Sequence, residues 1–146
     1  MILATTDSTG YKILLLIHII FVVVAFGALF VAPVLGRVEG ASRGVAQGMV
    51  TFIQRFALPS VILVGLFGFG LIGMSDKVYK FSSAWVGPAI LLWLIEIGLY
   101  VGAILPAEKK VAAGDESAQK MLPMFTGISH LILVVAIYLM VFKPGN

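Results

Sequence analysis

Three side chains could carry chemistry inside an otherwise apolar chain: His18, Glu96 and His130. Glu96 is flanked on both sides by apolar residues, glycine and proline alone for about three turns of helix. An acid at bilayer depth costs roughly 2.5–3.5 kcal/mol on insertion scales, so it needs a partner or a task. Three roles are open to it: proton carriage, contact with a substrate or cofactor, or a neutral acid hydrogen-bonded for packing. An imidazole can ligate iron through a ring nitrogen, share a proton, or hydrogen-bond a neighbouring helix.

The elements that must position these groups are four apolar stretches, at about residues 13–36, 56–74, 84–105 and 124–142. Each is long enough to cross ~30 Å of hydrocarbon as a helix. The fold class that follows is all-α, a single integral membrane domain built as a four-helix bundle. Composition agrees: 60% of residues are hydrophobic and 12% charged, against roughly 25% charged in a soluble domain. No basic residue precedes Lys12, and the run after it is too long for a cleaved signal, so the first stretch reads as a retained span.

Several chemistries are excluded. The chain has no cysteine, hence no disulfide, thiolate metal site or thiol catalysis. It has no phosphate-cradling glycine loop, nucleophile elbow or zinc spacing, and its methionines form no metal-binding cluster. The net charge of +3 is dispersed, which suits lipid head groups and not nucleic acid. Arg37, Arg43, Arg55, Lys109, Lys110 and Lys120 lie in the first and third connections; Lys12, Lys77, Lys80 and Lys143 lie on the other side. The positive-inside rule then places both termini outside the cell.

Between the spans, Val45–Phe56 reads as a helix extending the second span. Gly36, Gly40, Gly44 and Gly48 form one small-residue stripe if the connection Arg37–Arg55 is helical, and are flexible loop glycines if it is not. Pro106–Pro123 reads as a solvated loop. Tyr79 and Trp85 mark a membrane–water interface.

Depth and helical phase narrow the pairings. At 1.5 Å per residue His18 lies ~8 Å below the outer face, Glu96 ~18 Å and His130 ~20 Å. This offset makes His18 and His130 poor partners across one heme and favours Glu96 with His130 as a hydrogen-bonded or proton-sharing pair. Trp85, Ala89, Trp93, Glu96, Tyr100 and Ala103 share one stripe of the third span, expected to face inward. The face expected around His130 holds Pro123, Thr126, Gly127, Val134 and Ile137; that around His18 holds Tyr11, Val22, Ala25, Ala32 and Gly36. Gly98 and Gly102 point away from Glu96.

A resemblance adds to this. His18-Ile19-Ile20-Phe21, the run Phe26 to Phe30, Pro33, Arg55, Pro59, Trp85 and the closing Lys143-Pro144 resemble a set of small four-span bacterial membrane proteins. The set includes HemJ-type protoporphyrinogen oxidases, CopD-like domains and integral membrane proteins of uncharacterised function. It implies the four-span fold, the bacterial inner membrane, and heme b with His18 as a ligand. The chain departs from the HemJ type at Ala25, where a tryptophan is expected, and at Gly87-Pro88-Ala89, where a functional lysine is expected. Porphyrinogen oxidation is therefore not what the resemblance carries over.

Three functions fit these observations. One is a small accessory subunit of a larger membrane complex, respiratory or otherwise redox-active. The glycine-lined faces of spans two and three would pack other subunits or a second copy. A heme-b-binding oxidoreductase or heme-pathway protein would use His18. A proton-linked transporter would use Glu96 and His130.

Overall fold

The computed structural model describes residues 6–35 and 42–145. They form four long helices and, among the described residues, no strand. The helices are α1 (Thr9–Leu35), α2 (Arg43–Gly73), α3 (Val86–Ala112) and α4 (Glu116–Phe142). All four are long and apolar enough to cross a membrane. Consecutive helices run antiparallel, so the start of α1 and the end of α4 lie at the same end of the bundle.

Burial on α1 falls at Tyr11, His18, Ala25, Phe26 and Leu29. This near-heptad spacing keeps one narrow seam toward the other helices. The rest of α1, including Leu16, Ile20 and Val23, is exposed, as a lipid-facing surface must be. The main core cluster lies in the half of the bundle away from the termini. Ala25, Phe26 and Leu29 of α1 meet Met49, Ile53, Ala57 and Val61 of α2, Tyr100 and Ile104 of α3, and Leu133 of α4.

Two helices run further than the hydropathy suggested. The expected extension of α2 is present, from Arg43 onward. Gly44 and Gly48 on it face open space, so they pack nothing within the bundle. Gly36, Gly40, Arg37 and Glu39 lie outside the described residues. The expected loop after the third span is a correction. Helix continues through Pro106 to Ala112, and Glu108 on it is buried. The chain turns at Gly114 (φ +94) and resumes as helix at Glu116.

The continuation past Pro106 has a physical cause. Proline lacks an N–H, and its ring crowds the carbonyl four residues back. Pro59 and Pro106 each stand two residues beyond a π-helical turn, Ile53–Ala57 and Tyr100–Ile104. There the N–H of Leu58 reaches Ile53 O and that of Leu105 reaches Tyr100 O. The wider register absorbs the proline without breaking the rod.

Asp115 caps α4. Its carboxylate accepts from Ser117 N at 2.8 Å, Ser117 Oγ at 2.6 Å and Ala118 N at 3.2 Å. The Ser117 hydroxyl first, and then the backbone donors, hold this carboxyl below its ordinary 3.8. A depressed folded value means that its stabilisation is complete above the unfolded value and is lost as pH falls through the folded one. Asp115→Ala is therefore expected to lower the thermal midpoint at neutral pH and to narrow the gap between neutral pH and about pH 3. Circular dichroism melts in detergent would measure both. An unchanged gap would count against the cap.

Candidate functional site

At the terminal end of the bundle the four helices do not close on each other. They enclose a chamber of about 710 Å³, within the roughly 300–1,000 Å³ typical of small-molecule sites. Its walls are almost wholly apolar and come from all four helices. Leu15, Ile19 and Val23 of α1 and Ile137 and Val141 of α4 line it, and all five are also exposed. The chamber thus opens sideways between α1 and α4, toward the lipid. Near the other end these two helices meet, where the Phe30 ring stacks on the His130 imidazole at 4.0 Å and 9°.

Glycines on α2 shape the inner wall. A Cβ at Gly65 would overlap the Trp93 indole of α3, so only glycine admits that ring. Trp93 Nε1–H then donates to Val61 O at 2.7 Å, and Phe69 meets the indole edge-on at 5.6 Å. At Gly70 a Cβ would sit 3.0 Å from Leu14 of α1. At Gly68 it would meet only the His18 ring, at 3.6 and 3.9 Å, an ordinary contact. Gly65, Gly68 and Gly70 are therefore used inside this one chain; Gly73 faces open space. So do Gly98 and Gly102 on α3, away from buried Glu96 as expected.

His18 lies in the chamber wall and is buried. Its Nδ1 is buried without a hydrogen-bond partner. Met140 of α4 lines the same chamber. The terminal end carries the remaining polar groups. Ser75 Oγ–H donates to Ile72 O at 2.7 Å and Ser75 Oγ accepts from Tyr79 N at 3.0 Å, which fixes Tyr79 beyond α2. Trp85 meets Tyr79 edge-on at 5.8 Å, and its indole N–H is buried and unpaired. Lys143 ends α4 in a left-handed conformation (φ 43), and Gly145 beyond it packs on Ala84. This turn brings Lys143 Nζ to 5.0 Å from the centre of the Tyr79 ring.

Glu96 lies elsewhere and does not line the chamber. Ser129 Oγ–H donates to Glu96 Oε1, and Oε2 is buried without a partner. Tyr100, four residues on, sends its hydroxyl across the bundle to the Ala25 carbonyl. The expected pairing of Glu96 with His130 is not formed. Ser129 is its neighbour on α4, and successive helical side chains point about 100° apart. Consequently the inward face of α4 is Thr126, Ser129, Leu133 and Leu139, whereas Val134 and Ile137 are exposed. His130 sits on the flank against Phe30, its Nε2 buried and unpaired. The expected inward stripe of α3 is present: Trp85, Glu96 and Tyr100 are buried, with Ala89, Trp93 and Ala103 partly so. Among the described residues no three histidine or acidic side chains gather as a metal site.

No protein-family model, curated protein or solved structure matches the chain.

Proposed function

We propose that this four-span membrane protein holds a lipophilic molecule in the chamber between its helices. The sideways opening of that chamber toward lipid carries the reading. A bundle serving only as a packing subunit would be expected to close its interior, and Gly65, Gly68 and Gly70 of α2 already receive Trp93, His18 and Leu14 of this chain, which leaves Gly73, Gly98 and Gly102 open. Proton-linked transport through Glu96 and His130 loses support, because Glu96 bonds Ser129 instead. With six Lys/Arg on one side and four on the other, the chamber belongs to the outer half of a bacterial inner membrane, with both termini outside.

The arrangement of His18 favours a second occupant, heme b. Its Nδ1 is buried in the chamber wall with no hydrogen-bond partner, a nitrogen left uncommitted as an iron ligand would be. The residues present thus fit the group: His18 would hold it, and Met140 is a second side chain there able to ligate iron. Bound heme would supply one-electron chemistry. The chain's own part would be to fix the imidazole, exclude water with apolar walls and set the polarity around the ring.

Gentle extraction, native mass spectrometry and an oxidised-minus-reduced absorption spectrum test both readings together. The expected result is a lipophilic adduct in the wild type that is lost in Ala89→Phe, which fills the chamber. If that adduct is heme, its Soret band disappears in His18→Ala. A colourless, adduct-free protein bound into a large complex would return the function to that of an accessory subunit.

A further inference from the structure

The chamber's polarity points to a narrower class of occupant. Among the described residues that line it, one side chain is charged, Lys143, and none is a carboxylate. Lys143 stands at the terminal end, where helix meets head groups, and the apolar walls run from there to mid-bundle at Val22, Val64 and Trp93. Beside it, Trp85 brings an indole N–H that is buried and without a partner, on a side chain only 7% exposed. Asp7, outside the chamber lining, pairs with Lys12 at 3.8 Å. A single cation with an unpaired donor at one end of an apolar channel is complementary to one negative charge on a long hydrocarbon.

We propose that the ligand is a single-chain anionic amphiphile, a long-chain carboxylate that slides in between α1 and α4. Its carboxylate rests at Lys143, above Tyr79 and beside Trp85, and its chain lies along Val22, Val64 and Trp93. Tyr79 holds the lysine at the interface through the ring face, a cation–π contact that orients the ammonium without neutralising it. The left-handed turn at Lys143 and the seat of Gly145 on Ala84 fix where that charge stands. This inference rests on the reading of the chamber as a ligand site.

The chain's 2 tryptophans, Trp85 and Trp93, both line the chamber, so contact quenching reports its occupancy. Protein in lipid nanodiscs is titrated with dibromostearate and, separately, with dibromostearyl alcohol, which shares the chain but carries no charge. The expected result is saturable quenching by the acid, weakened on the order of tenfold by Lys143→Gln and preserved by Lys143→Arg. The alcohol is expected to bind more weakly and to ignore both substitutions. Equal affinity for acid and alcohol, or an acid affinity unmoved by Lys143→Gln, overturns the head-group assignment and leaves the chamber reading standing. Absence of saturable quenching by either probe, with Ala89→Phe indistinguishable from wild type, overturns the chamber reading itself.

Discussion

Gly65→Ala is expected to be among the most damaging single-methyl additions in the chain. The added Cβ would fall within the Trp93 indole, a rigid ring that cannot yield as a flexible side-chain end would. Overpacking of this kind costs roughly 1–3 kcal/mol. Moving the indole aside also breaks its bond to Val61 O, about 1 kcal/mol more. The total is on the order of 3 kcal/mol, a large part of a small bundle's stability. A thermal melt in detergent would show it as a drop of several degrees. The cycle with Trp93→Leu identifies the cause, because the double variant should lose much less than the sum of the singles. Additive losses would mean that Gly65 matters for some other contact. The same variant should alter the chamber, since Trp93 forms part of its wall. Gly68→Ala, three residues along, meets only ordinary contact with His18 and should be tolerated.

That contrast explains how much could be read from sequence. Hydropathy showed the four spans, because the bilayer imposes length and polarity on each helix separately. The inward stripe of α3 was legible for a similar reason: Glu96 marks its phase, and an acid must face protein. What a glycine faces depends on which helix lies opposite, and no local pattern states that. Gly65, Gly68 and Gly98 look alike in the chain, yet one holds a tryptophan, one borders a histidine and one faces outward.

The inward face of α4 was misplaced for a related reason. His130 was the most polar residue there and drew the interior face to itself. Ser129 is small, partners the acid and left a fainter trace, although Thr126, Ser129 and Leu133 follow helical spacing. The reach of α3 was also hidden. Pro106, Glu108, Lys109 and Lys110 resemble a loop, but a π turn lets the helix pass the proline.

Ser129→Ala is the second substitution expected to have a large effect, and its partner variants separate packing from proton chemistry. Glu96 already carries one buried oxygen without a hydrogen bond. Removing the Ser129 hydroxyl leaves both oxygens unpaired in an apolar interior, at a cost of about 1–3 kcal/mol. Glu96→Gln retains an oxygen that can accept from Ser129 and removes any cost of a buried charge, so its thermal midpoint should equal or exceed that of the wild type. Glu96→Leu combined with Ser129→Ala removes both polar partners at once and should be far milder than Ser129→Ala alone. This ordering, with Ser129→Ala least stable, belongs to an acid that joins α3 to α4 as a neutral hydrogen-bonding group. If Glu96→Gln were instead the least stable, the ionised form would be the one the fold holds. Because Glu96 stands outside the chamber wall, ligand quenching at Trp85 and Trp93 should be the same in Glu96→Gln as in the wild type. A loss of quenching with unchanged stability would tie the acid to the ligand after all, and would make the seam between α3 and α4 the path by which the two communicate.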